Sequence, residues 1–117
     1  MKELFAEGLT FRLNGRLYIE SERDRFLGPG RIELLEKIVE YGSISKAAAA
    51  MQMSYKKAWD LVDSMNSQAN TFLVLTQTGG KNGGGAVVSP EGLRAIAAYK
   101  SLQQRFQAFL EQETASW

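Results

Sequence analysis

Five side chains with hydrogen-bonding or cationic groups lie close together in the middle of the chain: Ser54, Tyr55, Lys56, Lys57 and Trp59. Hydroxyl and ammonium groups are common donors to phosphate oxygens, and they also reach the acceptors on nucleic-acid base edges. The surrounding segment, residues 43–89, is locally basic, with four lysines against two aspartates. This surplus is small, so charge alone fits a solvated surface as well as a surface that binds a polyanion.

The residue types that most enzymes use are missing, since the chain contains neither cysteine nor histidine. This removes disulfides, thiolate nucleophiles and zinc-finger sites, together with the commonest general base and metal ligand. A catalytic site would have to rely on carboxylates or tyrosines. Acid pairs such as Glu20 with Glu22, or Glu33 with Glu36, are better explained as exposed strand and helix faces. We therefore predict that the chain is not an enzyme and uses no cofactor or metal.

Length and composition bound the fold class. A chain of 117 residues with 44% hydrophobic and 23% charged residues is typical of one soluble globular domain. No apolar run reaches the roughly 18 residues of a membrane-spanning helix, and acids occupy the N-terminus where a signal peptide is apolar. These features predict a cytoplasmic protein without membrane contact.

A helix-turn-helix is predicted over residues 45–66. Ser45 and Ser54 are suited to cap the first and second helix, and Gln52 and Met53 separate the two. Apolar residues recur at helical spacing on both helices and would form one continuous seam: Ile44, Ala47, Ala48, Met51, Met53, Ala58, Leu61, Val62 and Met65. In such a motif the first helix braces the second, whose outer face can then enter a DNA major groove.

The outer face of the second helix carries the candidate DNA-binding residues. Tyr55 and Lys56 lie in its first turn, where base contacts concentrate. Ser54 caps the helix and can also hold a phosphate, and Lys57 lies toward the rim of the face. Trp59 either packs beside the core or touches the sugar-phosphate edge, and the sequence leaves both open.

A wing is predicted over residues 73–89, where two strand-like pieces flank a segment with five glycines in eight residues. A nucleotide phosphate loop is disfavoured because no Gly-Lys-Ser/Thr follows the glycines. Within the wing, Lys81 and Asn82 could contact phosphate or the minor groove. Lys46, near the start of the bracing helix, is either a further phosphate contact or simply solvated.

Two further elements complete the predicted α+β winged helix-turn-helix. Alternating residues predict an N-terminal β-hairpin over 9–20, with a three-residue loop at 13–15. A long C-terminal helix is predicted over 90–113, starting with a serine cap and a proline at its first position. This helix is longer than a small domain can cover, so we assign its stripe of apolar and aromatic residues to dimerisation: Tyr99, Leu102, Phe106 and Phe109.

Two motifs carry a resemblance to a known family. The run Ser-Tyr-Lys-x-Ala-Trp at 54–59 and the run Gly-Gly-x-x-Gly-Gly-Gly at 79–85 closely resemble the winged helix-turn-helix of the molybdate-responsive ModE regulators. The resemblance covers roughly residues 28–110. It implies a homodimer that binds palindromic double-stranded DNA in bacterial or archaeal transcriptional control. Full-length members also carry C-terminal oxyanion-binding modules, which this sequence does not resemble, so we do not expect this chain to bind molybdate selectively.

Two other classes of function remain open from the residues alone. A winged-helix module that binds protein with the same surface would show no salt-sensitive DNA retention. A small enzyme would need convergent catalytic groups, which the sequence does not display.

Overall fold

The computed structural model describes residues 1–77 and 85–117, and in them the chain forms four α-helices and two antiparallel strand pairs. A single 3₁₀ turn, Lys2–Leu4, comes first. The remaining elements follow in this order: β1 (Ile19–Glu20), β2 (Arg25–Leu27), α1 (Pro29–Tyr41), α2 (Ile44–Ala50), α3 (Tyr55–Gln68), β3 (Val74–Thr76), β4 (Ala86–Val88) and α4 (Pro90–Ala115). The architecture is α+β and compatible with a winged helix, which confirms the predicted fold class. None of the described helices is long and apolar enough to cross a bilayer.

Local sequence explains where the first three helices begin and end. Pro29 occupies the first turn of α1, and Gly42 ends that helix in the left-handed conformation at φ 64°. Ser54 caps α3 by accepting the Lys57 backbone N–H at 3.0 Å. The cap of α2 is Ser43, which accepts the Lys46 N–H at 3.2 Å. The prediction of Ser45 as that cap is wrong because the helix begins at Ile44, two residues before the start that a Ser45 cap would give.

The core lies where α1, α2, α3 and the strand pair β3–β4 meet. Six residues of the predicted helix-turn-helix seam are buried: Ile44, Ala47, Ala48, Ala58, Val62 and Met65. The other three seam residues, Met51, Met53 and Leu61, are half-buried and pack against the same core. Small alanines at the crossing allow α2 and α3 to approach closely, so the opposite face of α3 is directed outward.

The wing strands pair in one register, with Val74 opposite Val88 and Thr76 opposite Ala86. Its base is tied to the helices by the Ala86 N–H, which donates to the Gly42 carbonyl oxygen at 3.0 Å. Lys81 and Asn82, the two predicted wing contacts, lie outside the described residues.

The N-terminal hairpin differs from the prediction over residues 9–20. Its strands are β1 and β2, with Ile19 opposite Leu27, and the loop between them is polar. Residues 9–18 form no strand. Instead, the Leu13 N–H donates to Thr114 Oγ1 at 2.8 Å, and Gly15 lies against the Phe106 ring. The alternating pattern was misleading because the segment makes its contacts with the distal part of α4, through the Leu13 backbone and Gly15, and not across a turn.

Helix α4 divides into a core half and a distal half. Tyr99 is only 1% exposed, and its hydroxyl donates to the Leu17 carbonyl oxygen at 2.9 Å. Burial, followed by the nearby Tyr18, raises the pKa of Tyr99 above its usual range. We therefore assign Tyr99 to the core of its own chain, which corrects its predicted place on a dimer surface.

Past Tyr99 the helix leaves the core and pairs with the N-terminal segment. Residues 1–16 and 102–117 together form a projection that we call the arm. Phe5 stacks on Phe11 with ring centroids 4.1 Å apart, and the edge of Trp117 meets Phe5 at 5.4 Å. The arm explains a radius of gyration of 18.2 Å, against about 13 Å for a compact chain of this length.

Candidate nucleic-acid interface

The outward face of α3 presents the predicted residues at its N-terminal end. Tyr55 is 54% exposed, and the Lys56 side chain is 86% exposed. Lys57 is also exposed, whereas Ala58 directly after it is fully buried in the seam. The first turn of α3 therefore brings two lysines and a tyrosine to one surface while the same turn is anchored from behind.

The two aromatic side chains of this face contact each other. The rings of Tyr55 and Trp59 meet edge to face, with centroids 6.2 Å apart and planes at 85°. Trp59 is half-buried and packs against the core on its other side. Trp59 lies one helical turn after Tyr55, and its ring contacts the Tyr55 ring. This contact limits the rotamers of Tyr55, which is otherwise exposed.

Lys56 is paired within its own helix. Its Nζ lies 3.0 Å from Asp60 Oδ2, one turn further along, and both side chains are mostly exposed. Exposed ion pairs at this spacing contribute only about 0.3–0.5 kcal/mol to stability. Water or another anion can therefore easily replace Asp60 at the Lys56 ammonium. The sequence prediction for this face did not include the pairing of Lys56 with Asp60.

Two other lysines of the site have no carboxylate within 4.0 Å among the described residues. These are Lys57 on α3 and Lys46 on α2, and both are exposed. Ser54 lies between them in the chain, with its hydroxyl occupied as the α3 cap. The structure thus brings Ser54, Tyr55, Lys56, Lys57 and Trp59 together at one helix start.

A polar network that sequence reasoning missed attaches α3 to the β1–β2 turn. Asp24 Oδ2 accepts from the Ser64 hydroxyl at 2.7 Å and lies 3.3 Å from the Arg31 guanidinium, which itself donates to Ser64 Oγ at 2.8 Å. The Ser64 hydrogen bond, followed by the Arg25 backbone N–H and Arg31, lowers the pKa of Asp24. The partners are up to 40 residues apart, so no local pattern could reveal them. The polar run at 20–25 between apolar residues was the available signal for the turn.

A second missed residue, Asn66, attaches α3 to the wing. Its Oδ1 accepts the backbone N–H groups of Leu73 and Val74 at 2.9 and 3.2 Å, and its Nδ2 donates to the Val74 carbonyl at 3.0 Å. The Asn66 side-chain amide therefore joins helix α3 to the backbone at the start of strand β3 by three hydrogen bonds. The wing base and the outward face of α3 are held as one unit.

The described residues contain no cluster of three or more acidic side chains that could hold a metal ion. The chemistry of the α3 face is that of cations, hydroxyls and aromatic rings, which donate to phosphate oxygens and base acceptors.

Comparison with known proteins gives relatives but no matching family model. The molybdenum transport protein ModE of Azotobacter vinelandii is 38% identical over 100 residues, which cover 86% of this chain and 37% of that protein. The DNA-binding transcriptional dual regulator ModE of Escherichia coli K12 is 43% identical over 88 residues, 75% of this chain and 34% of that protein. The molybdenum-pterin-binding protein MopB of Rhodobacter capsulatus is 46% identical over 77 residues, 66% of this chain and 28% of that protein.

The chain spans about a third of the length of these relatives, and the matched part is their N-terminal region. The resemblance read from the two motifs is thereby confirmed. The chain matches the N-terminal region of the ModE family of proteins.

Proposed function

We propose that this chain is the DNA-binding part of a transcriptional regulator and that it binds a two-fold symmetric operator as a homodimer. The observation that carries this proposal is the first turn of α3, where exposed cationic and aromatic groups stand on a helix braced by a buried seam. A relative 43% identical to the chain is a DNA-binding transcriptional regulator. Because the chain spans a third of that relative, DNA binding is transferred as a proposal.

Each residue of the interface has a proposed role. Tyr55 and Lys56 contact base edges in the major groove, since they occupy the exposed start of the helix. Phosphate contacts are assigned to Ser54, Lys57, Lys46, Lys81 and Asn82. Trp59 supports the Tyr55 ring and reaches the groove edge with its exposed side.

Dimerisation is assigned to the arm. Leu9 and Phe109 are 66% and 50% exposed there, and Leu13 is 36% exposed. Exposed apolar groups on a projecting element favour contact with a second copy, because association removes their surface from water. Phe106 packs on Gly15 of its own chain, so its contribution is to shape the arm, with Leu102 half-buried next to the core end.

Titrations on Lys56 and Lys57 test the assignment of roles. Lys56→Ala should cost about 1–3 kcal/mol on the best DNA site and flatten discrimination at one base pair per half-site. Lys57→Ala should weaken all duplexes similarly and lower the salt slope by about one unit per chain. Neither side chain is buried, so folding should persist in both variants.

The measurement is fluorescence anisotropy on a preferred and a scrambled duplex at several salt concentrations. Equal losses on both duplexes for Lys56→Ala would reduce that residue to a phosphate contact and transfer base reading to Tyr55. A wild-type protein with no salt-sensitive binding to either duplex would support a protein-interaction module instead.

A further inference from the structure

A second cationic surface lies beside the α3 face, in a cavity of about 410 Å³. Four basic side chains line it: Arg16, Arg25, Arg31 and Lys57. No carboxylate lines the cavity in the described part of the chain. The whole sequence is nearly neutral, with 14 basic and 13 acidic residues, so this local excess of one sign is a specific feature of the surface.

Carboxylates outside the cavity balance only two of the four charges. Arg25 Nε lies 3.6 Å from a Glu20 oxygen, and Arg31 is paired with Asp24 in the α3 network. Within the described residues, Arg16 and Lys57 have no carboxylate within 4.0 Å. The cavity therefore retains a surplus of about two positive charges, and clefts of one sign concentrate ions of the other sign.

The cavity is also shaped. The Arg25 guanidinium lies 3.8 Å from the centre of the Tyr18 ring, which fixes its plane. A side chain at Gly28 would come within 2.6 Å of the same ring, so Tyr18 rests directly on the start of α1. At Gly30, by contrast, nothing lies within 4 Å of an added Cβ. Planar guanidinium groups and an open backbone suit a phosphate, whose oxygens accept paired N–H donors.

We propose that this cavity binds a phosphate-type oxyanion, and that in the DNA complex this anion is a backbone phosphate next to the base pairs contacted by α3. The placement rests on the proposed function, because Lys57 belongs to both surfaces. A volume of about 410 Å³, against about 30 Å³ for one water, admits a phosphodiester with parts of its sugars. The interface then extends from α3 across the cavity to Arg16.

Arg16→Gln tests the proposal, since Arg16 is exposed, lies outside the α3 face and makes no described side-chain hydrogen bond. Loss of one phosphate contact should weaken duplex binding about eightfold per cavity at 0.1 M salt, or about sixtyfold for a dimer with two cavities, and lower the salt slope by about one unit per cavity. The matched control is Arg94→Gln, an exposed arginine at the start of α4 that is paired with Glu91 and does not line the cavity. We expect the control to stay within about twofold of wild type.

A second experiment uses inorganic phosphate without DNA. The backbone amide shift of Gly30 is followed by NMR while phosphate replaces chloride at constant ionic strength, in wild type and in Arg16→Gln. A saturable shift in wild type alone would assign the cavity to free phosphate as well as to DNA. A changed DNA slope without that shift would assign it to the DNA backbone.

The proposal is overturned if Arg16→Gln keeps the wild-type salt slope and phosphate leaves the Gly30 amide unmoved. If wild type binds no duplex, the proposed function fails, and the phosphate titration still decides whether the cavity takes an oxyanion.

Discussion

At the scale of single residues, the pair between Lys56 and Asp60 places a negative charge beside the lysine to which we assign base contacts. Both side chains lie on the exposed surface, and their atoms are 3.0 Å apart. Under the proposed function, DNA would compete with Asp60 for the lysine ammonium, and Asp60 would itself repel phosphates. We therefore expect the aspartate to lower affinity for any duplex while it leaves the Lys56 donor available for a base that can displace it.

Asp60→Asn should therefore tighten binding to a scrambled duplex by about twofold, the equivalent of an exposed i,i+4 pair of about 0.3–0.5 kcal/mol. Affinity on the two duplexes by anisotropy gives the answer. The control is Glu40→Gln, which breaks a similar exposed pair, with Lys37, on α1. Unchanged or weaker binding by Asp60→Asn would mean that Lys56 does not approach the duplex.

Asp24 links the acid stability of the fold to the position of α3. Its pKa is lowered by the Ser64 hydroxyl, the Arg25 N–H and Arg31, so the ionised form is favoured in the folded state. A lowered folded pKa stabilises the protein above the unfolded value of about 4, and this contribution disappears as pH falls through the folded pKa.

Asp24→Asn should consequently unfold at lower urea concentration than wild type at pH 7, and the two proteins should converge as pH falls below about 4. Urea titrations at pH 7, 5 and 3 measure the difference. A gap that stays constant over this range would show that the Asp24 charge does not stabilise the fold.

At the scale of elements, one amide couples the wing to α3. Asn66 makes three hydrogen bonds to the backbone at Leu73 and Val74, both of which are buried. Asn66→Ala should cost about 1–3 kcal/mol, because buried backbone groups would lose their partner. Chemical denaturation measures the loss. Asn70→Ala, at an exposed position two residues past the helix, is the control, and equal effects of both changes would contradict the proposed coupling.

Short-range patterns predicted the helices better than they predicted the N-terminal segment. Caps, prolines and apolar spacing act within one or two turns, so α3 and its outward face followed directly from the sequence. The hairpin prediction failed because Leu13 and Gly15 find their partners about a hundred residues away, on the distal half of α4. The Asp24 network and the cationic cavity were missed for the same reason, since each joins residues from separate elements.

At the scale of the whole molecule, the arm gives the chain extents of 64 × 29 × 24 Å. The exposed apolar groups of this projection are the reason that we propose symmetric pairing with a second copy. In the proposed two-fold dimer, two α3 helices would contact one duplex, so the separation of half-sites would follow the spacing of the two helices.

Phe109→Ser should weaken the dimer by about tenfold or more, because this half-exposed ring would no longer be buried in the proposed dimer interface. Sedimentation equilibrium reports the dissociation constant. Leu93→Ser is the control, since Leu93 is 49% exposed on the core half of the same helix. If Phe109→Ser remains as dimeric as wild type while Leu93→Ser dissociates, the dimer interface lies at the core end of α4.

The central claim, that the α3 face of a dimer reads DNA sequence, is tested most directly by selecting bound duplexes from a random pool. We expect enrichment of a two-fold symmetric motif, with half-sites separated by about one helical turn or a multiple of it. The selected motif should bind more tightly than its scrambled version, and Lys56→Ala should reduce that difference by flattening discrimination at one base pair per half-site. A pool that shows no enriched sequence after repeated rounds, with wild-type protein binding all duplexes equally or not at all, would contradict the account.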